Sequence, residues 1–365
     1  MELTLDNIIF SLQDAGGISV VWVELLSRSI KDTDLNLKII ELENHNVLRK
    51  RVEIPENYFV ENPLSKYPLI VQRYFNPNKL EGKGIFHSSY YRTVSNPNFK
   101  NVTTVHDFTY EYYRSGLSKL IHCKQKEKAI HNSKRIICIS ENTKNDLLKF
   151  YPKYPESQIS VIYNGVSEEY YPLINKNNSQ LIKLIPFDSL GYILYVGDRS
   201  TAYKNFDLVV ETARSLKLPL VLAGGGNYSK NEKQKLDLKL GKNNFTLLAG
   251  ISNSTLNILY NHALCLVYPS IYEGFGIPVV EAQKAGCPVI CSNNSSIPEV
   301  AGIGAYLIQH INSKKILNRI LYLKNRTTER EMLIAEGLKN AERFSWDKCY
   351  QQTKNVYMDV YKAYF

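Results

Sequence analysis

Two glutamates, Glu273 and Glu281, bracket the segment best equipped to do chemistry: Glu273-Gly274-Phe275-Gly276-Ile277-Pro278-Val279-Val280-Glu281. Gly274 and Gly276 leave the backbone bare. Ile277-Pro278 opens a helix, because proline is tolerated in a first helical turn. One carboxylate therefore sits in a loop and the other one turn into a helix. Free N–H groups at such a glycine-rich helix start attract anionic oxygens. Carboxylates accept hydrogen bonds from hydroxyls. The combination suits a ligand that is polyhydroxylated and carries phosphate, as a sugar nucleotide does.

Three more places carry suitable groups. Asp198-Arg199-Ser200-Thr201-Ala202-Tyr203-Lys204-Asn205 puts Arg199 and Lys204 in one loop ahead of a helix. A guanidinium offers a planar fork and an ammonium a point charge, and both serve a diphosphate. Gly16-Gly17 lies in a turn between an expected strand and a helix, where backbone N–H groups can approach a phosphate or an acceptor. The turn lacks Gly-x-Gly-x-x-Gly and a Walker lysine, so neither a dinucleotide fingerprint nor a P-loop is supported. His106-Asp107 closes an expected strand, and a histidine at a strand's carboxyl end facing a cleft is a candidate ligand.

These residues need a frame that presents strand ends. Short apolar runs at 7–10, 37–42, 85–87, 102–106, 135–139 and 159–163 read as strands in the first half. Runs at 193–197, 220–223, 245–248, 264–268 and 288–291 do so in the second. Helical stretches alternate with them, which argues for parallel, doubly wound sheets covered on both faces. Ser140 is placed to cap a helix, Asn205 precedes another, and Gly286 suits a helix C-terminus. The polar stretch at 173–190 reads as a linker. The expected layout is a domain at 1–172, a linker at 173–190, a second domain at 191–345, and a helix at 346–365 packing back on the first. Two such α/β domains facing across a cleft bind ligands at the carboxyl ends of their strands.

The Glu-x-x-x-x-x-x-x-Glu segment resembles the signature of the retaining group 1, or family 4, glycosyltransferases, which have two Rossmann-like domains in the GT-B fold. Residues 136–144, 161–166 and 298–302 are also similar to family segments, in the family's order. Gly302-Ile303-Gly304-Ala305-Tyr306 departs from the acidic residue often found there. The resemblance implies a bacterial, cytoplasmic, metal-independent hexosyltransferase that retains anomeric configuration. In it Glu273 contacts hydroxyls of the transferred sugar and Glu281 holds the ribose. The backbone of Gly274, Phe275, Gly276 and Ile277 lines the sugar subsite. Arg199 and Lys204 clamp the diphosphate, and Gly16 and Gly17 face it. His106, with Asp107 beside it, contacts the donor sugar. The Tyr-Lys-Asn-Phe form points to a GDP-sugar of the mannose or perosamine type, with a UDP-sugar as the alternative. The implied acceptor is lipid-linked or an oligosaccharide, as in O-antigen, capsule or lipopolysaccharide synthesis. The nucleotide sugar is a substrate, so no cofactor and no metal are expected.

Composition narrows the remaining classes. The 365 residues carry a net charge of +10, spread along the chain with no dense basic tail. No nucleic-acid-binding signature accompanies it. An anionic substrate or peripheral contact with an anionic inner leaflet fits better. No leader or membrane-spanning run is visible. The six cysteines are scattered and form no zinc set, which fits a reducing compartment. A glycosidase, a GT-B epimerase and a silent nucleotide-sugar-binding protein are the rival readings. Two cations beside the glutamate pair favour a nucleotide donor over a simple glycoside.

Overall fold

The structure, a computed structural model, describes residues 1–60, 68–77, 80–174 and 178–365. Two compact units divide the chain: Met1–Gly165 with Trp346–Phe365, and Val166–Ser345.

The first unit is built on six parallel strands: β1 (Glu2–Asp6), β2 (Asn36–Ile40), β3 (Gly84–Ser88), β4 (Phe99–Val105), β5 (Ser133–Cys138) and β6 (Ile159–Val161). Their order is β2-β1-β3-β4-β5-β6. Every residue of β3 is buried, as a strand covered on both faces must be. The helices Gly17–Lys31 and Trp346–Tyr364 bury Trp22, Leu26, Val356 and Tyr357 with Leu5, Ile85 and Val102. Each such side chain contributes about 1.5–3 kcal/mol by leaving water. His87 ties the last helix down: its Nδ1 lies 2.5 Å from the Tyr357 hydroxyl and its Nε2 3.0 Å from Thr104 Oγ1. Beneath the strand ends Arg92 pairs with Asp6, both side chains wholly buried. Ser88 Oγ donates to the same carboxylate at 2.7 Å. Removing either partner would strand a buried charge at a cost of about 3–5 kcal/mol.

The second unit repeats the plan with β7 (Ile193–Val196), β8 (Leu220–Ala223), β9 (Phe245–Leu248), β10 (Cys265–Tyr268), β11 (Val289–Ser292) and β12 (Tyr306–Ile308). These parallel strands run in the order β12-β11-β10-β7-β8-β9. The helices Phe206–Leu216 and Ser313–Asn325 pack Val209, Val210, Ile316 and Ile320 onto them. Ser140 Oγ accepts the Thr143 N–H at 3.0 Å, capping the helix Glu141–Phe150 in the first unit. All six cysteines are free. Among the described residues no helix is long and apolar enough to cross a membrane.

Three expectations change. The run at 7–10 is not a strand. β1 lies earlier, burying Leu3 and Leu5, and Ile8–Leu12 forms a short helix whose Ile8, Ile9 and Phe10 are all buried. A fully buried apolar run has no polar face to reveal its period. The units part at Gly165, not at 172, and the described part of 173–190 belongs to the second unit. Leu181 and Ile185 in that stretch are buried and anchor it. The edge strand β12 was not anticipated, being only three residues long.

Candidate functional site

In the second sheet β7 is flanked by β10 on one side and β8 on the other. The chain order reverses between β7 and β10, and open parallel sheets bind ligands beyond the carboxyl ends of such strands. The loops that leave β7 and β10 are stitched together. Asn205 Nδ2 donates to the Pro269 carbonyl at 3.0 Å, and the Ile271 N–H to the Tyr203 carbonyl at 2.9 Å. Lys204 Nζ thereby reaches Glu273 Oε1 at 2.6 Å, with the two side chains 16% and 13% exposed. Burial pulls the Lys204 ammonium down, but Glu273, Tyr203 and Asp198 together outweigh it and hold Lys204 above its ordinary range. The ammonium lies 5.5 Å from the Tyr203 ring centre and 5.9 Å from that of Tyr268. Two serines fix the loop. Ser295 Oγ accepts the Glu273 N–H at 3.0 Å, and Ser296 Oγ donates to the Glu273 carbonyl at 2.8 Å and the Phe275 carbonyl at 3.1 Å.

The turn 274–276 runs into the helix Ile277–Lys284, whose start has no side-chain cap. Gly276 has φ +93, a conformation that side chains resist. Phe275 turns inward onto Phe344, ring centres 5.5 Å apart, so only its backbone can line a ligand. Ile277 is partly buried at the first helical position, with Gly274 partly buried before it. Glu281, one turn on, is partly buried and faces two tyrosines. The Tyr260 hydroxyl donates to its Oε2 at 3.0 Å, and Tyr170 meets the same carboxyl. Burial pushes Glu281 up to about 7, against the pull of both tyrosines. It titrates near neutrality and can donate as well as accept. No hydrogen bond or ion pair joins Glu281 to Lys204 or Glu273.

Arg199 is placed otherwise than its spacing to Lys204 suggests. Its Nε donates to Glu232 Oε1 at 2.6 Å, Nη1 to the Gly224 carbonyl at 2.6 Å and Nη2 to the Gly226 carbonyl at 3.0 Å. Only 3% of the side chain is exposed. A Cβ on Gly225 would come within 2.6 Å of the Gly197 carbonyl and 2.7 Å of Arg199 Nη1. Arg199 is the peg on which the triple-glycine turn after β8 folds. Three of the five guanidinium N–H donors are thus taken by protein oxygens, whereas the Lys204 ammonium is paired with Glu273.

The first unit holds the other candidates. Gly16 precedes the helix Gly17–Lys31 in extended backbone, and the helix start carries no side-chain cap. The space around Gly17 is open. Buried Asn46 holds this turn through the Gln13 carbonyl at 2.7 Å and Ser19 Oγ at 3.0 Å. His106 follows β4 and is 8% exposed. Burial lowers it to about 4, so the imidazole is neutral at neutral pH. It lines a cavity of about 30 Å3 with Trp22, Ser89, Asn164 and Trp346. Asn164 Oδ1 is buried there with no protein partner, and a cavity of that size accommodates water. Asp107 Oδ1 accepts the Thr109 N–H at 2.9 Å, and its carbonyl accepts from Lys126 Nζ at 2.8 Å.

Tyr170, Tyr260, Asn205, Ser295 and Ser296 were not anticipated. The one available signal was the polar run Asn293-Asn294-Ser295-Ser296 between an apolar strand and Ile297-Pro298, which repeats the pattern around Glu273. Among the described residues no three His, Cys, Asp or Glu side chains gather as metal ligands.

Residues 182–340 match the family described as "Glycosyl transferases group 1", and residues 42–170 match "Glycosyltransferase Family 4". O-antigen chain mannosyltransferase B of Escherichia coli is 28% identical over 70% of this chain and 69% of its own. O-antigen chain mannosyltransferase RfbU of Salmonella typhimurium is 32% identical over 58% of each chain. The chain thus spans little more than half the length of the second relative. Among solved structures, Anabaena Alr3699/HepE in complex with UDP and glucose superposes with a TM-score of 0.74 at 14% identity, covering 97% of this chain and 98% of that one. With two six-stranded parallel sheets arranged as described and the two family matches taking in most of its length, the chain belongs to the group 1 glycosyltransferases and has the GT-B fold.

Proposed function

We propose that this chain moves a hexose-type sugar, with retention of configuration, from a GDP-sugar such as GDP-mannose or GDP-perosamine. The acceptor is lipid-linked or an oligosaccharide in O-antigen, capsule or lipopolysaccharide synthesis. The observation that carries the reading is the Lys204–Glu273 pair at the reversal between β7 and β10, beside an uncapped helix start. The mannosyltransferase names of the two relatives support the sugar and pathway. A UDP-sugar is the second reading, favoured by the UDP and glucose in the Anabaena complex.

On this reading Lys204 and the N–H groups around Ile277 meet the diphosphate. Glu273 keeps Lys204 charged and accepts from a sugar hydroxyl, and Glu281 takes the ribose. The backbone of Gly274, Phe275 and Gly276 lines the sugar. In the first unit, neutral His106 offers a hydrogen bond without a charge, with Asp107 beside it. Gly16 and Gly17 supply backbone donors for phosphate oxygens. The bond from sugar C1 to the phosphate oxygen breaks through an oxocarbenium-like transition state. The acceptor oxygen bonds to C1 from the same face, and its proton passes to a phosphate oxygen of the leaving group. Charge on that group is met by Lys204 and backbone dipoles, so the scheme requires no metal.

The test is a donor screen by thermal shift in EDTA with GDP-mannose, GDP-perosamine, GDP-fucose and the common UDP-sugars. Stabilisation by one donor, lost in Lys204→Ala and Glu281→Ala, supports the assignment and identifies the nucleotide. A folded protein that responds to none of them overturns it.

A further inference from the structure

Strand β12 closes one edge of the second sheet and is paired on one side only, by β11. The Ile308 carbonyl accepts the Asn293 N–H at 3.0 Å, which turns the Ile308 backbone toward β11. Backbone groups alternate along a strand, so Leu307 turns its own N–H and carbonyl to the open edge. Beside that edge lies a groove of about 520 Å3, lined by Leu307, Ile308 and Gln309 and by Lys315, Arg319 and Tyr322 of the helix Ser313–Asn325. Lys315 Nζ is held at the strand's end by the Gln309 carbonyl at 2.7 Å and the His310 carbonyl at 3.3 Å. The Arg319 guanidinium lies 5.0 Å from the Tyr306 ring centre, and Tyr322 braces Tyr306 in turn, ring centres 5.9 Å apart. Among the described residues Arg319 has no hydrogen-bond acceptor. A guanidinium stacked on a ring keeps its in-plane N–H groups free for an anion.

The charge around the groove has one sign. Between Glu299 and Glu329 the chain has no Asp or Glu and carries Lys314, Lys315, Arg319, Lys324 and Arg326. The segment 302–306, where an acid common in the family is absent, lies inside that gap. Glu329, at its end, is already paired with Arg326 at 3.0 Å. The groove therefore sets cations without an acidic partner beside backbone groups without a strand partner. A compact anion would meet the cations and leave the strand edge bare. A second copy pairing β12 with β12 would bring the same cations together, since a two-fold contact matches a surface with itself. An extended acidic peptide answers both features: its backbone bonds to Leu307 and its carboxylates meet the ammonium and the guanidinium. We propose that this groove docks an extended acidic segment of a partner protein as an added strand on β12, with Lys315 and Arg319 holding its carboxylates. β12 is three residues long, so the ladder is short and the charges supply the selection. Short edges flanked by cations discourage indiscriminate pairing, and here the same cations admit a strand of opposite charge. The site is separate from the residues assigned to the donor and does not rest on that assignment.

The full-length protein would be titrated against a fluorescein-labelled octapeptide alternating valine and glutamate, with binding read by anisotropy. Two controls accompany it: the same peptide with lysine for glutamate, and the acidic peptide N-methylated at alternate residues so that it cannot pair as a strand. Binding of the acidic peptide, weakened by salt, is expected, and the lysine peptide should not bind. N-methylation should weaken binding about tenfold, as should Arg319→Gln or Lys315→Gln. Leu307→Pro removes the outward N–H at a position where an edge strand tolerates proline, and should weaken binding about fivefold. Arg319 and Lys315 are exposed, so their variants should melt with the wild type and carry the test even if Leu307→Pro does not fold. An acidic peptide that does not bind overturns the proposal, as do Arg319→Gln and Lys315→Gln proteins that bind like wild type. An N-methylated peptide that binds as tightly as its parent overturns the added strand and leaves a simple anion site. A dimer in light scattering that Leu307→Pro abolishes overturns it in favour of self-pairing. Donor-induced thermal shift should be the same in all these variants, and its absence in the wild type would strike the proposed function and leave the peptide result standing.

Discussion

Replacing Glu281 by Gln should make the protein more stable and less able to bind its donor. The carboxyl is pushed from its ordinary 4.5 to about 7 by burial, against the opposing pull of its hydrogen bonds with Tyr260 and Tyr170. Between those two values the folded state holds a proton that the unfolded state has released. Stability therefore falls as pH rises through that window and is flat above it. Once both states are ionised the loss amounts to about 3 kcal/mol, trimmed to about 2 by the part of the side chain that water reaches. Glutamine keeps an oxygen for the Tyr260 hydroxyl and has no charge to desolvate. Wild type and Glu281→Gln should unfold alike near pH 4.5 and differ by about 2–3 kcal/mol at pH 8. In a unit of this size that moves the melting temperature by about 5–10 °C. Calorimetry is the right assay, because Trp22 and Trp346, the only tryptophans, both lie in the first unit. Tryptophan fluorescence then serves as the internal control, whose transition should not move. Equal second-unit transitions at pH 8 would refute the argument and return Glu281 to an ordinary solvated carboxylate.

The first unit should respond to pH with the opposite sign. Burial lowers His87 to about 3, His106 to about 4 and His122 to about 3. The unfolded state takes up protons that the folded state refuses, so stability rises with pH up to about 6.5, by up to about 2 kcal/mol per histidine between pH 5 and neutrality. A urea midpoint by tryptophan fluorescence that is no lower at pH 5 than at pH 7 would contradict this. Lys204→Ala should abolish the donor-induced thermal shift and lower kcat/KM about 100-fold or more, measured at saturating acceptor. Arg199→Lys should behave differently, costing about 2–3 kcal/mol of second-unit stability through lost bonds to Gly224 and Gly226. Donor affinity, measured by calorimetric titration well below the melting temperature, should change less than about threefold. Collapsed affinity at intact stability would return Arg199 to the diphosphate.

What the sequence made legible was what depends on short-range pattern. The apolar runs of β7, β8, β9 and β10 stand out because strands covered on both faces carry no polar alternation. The Glu273–Glu281 segment stands out because glycine and proline fix its turn. What stayed hidden depends on partners distant in the chain. Lys204 and Glu273 meet only because Asn205 and Tyr203 tie their loops together. The partners of Arg199 include backbone carbonyls, which have no residue signature, so the loop looked like a pair of free cations. Tyr170 and Tyr260 come from separate segments to enclose Glu281, and neither has a motif of its own. Asp6 and Arg92 lie in separate segments with no local signal for burial, and only the fold brings them together as a buried pair.

The return of the chain at Trp346 bears on how the protein is made. Synthesis completes residues 1–165, then the whole of 166–345, and only then delivers the helix that finishes the first unit. At ~5–20 residues per second the first unit waits roughly 10–40 s on the ribosome for its last piece. During that time the seat of Val356, Tyr357 and Val360, floored by Ile85 and Val102, is uncovered. The second unit is continuous and can close as it emerges. The order of folding is thus the reverse of the order of translation. A stop codon shortly before Trp346 would leave a finished second unit attached to a first unit with an open apolar seam, a natural handle for chaperones and proteases.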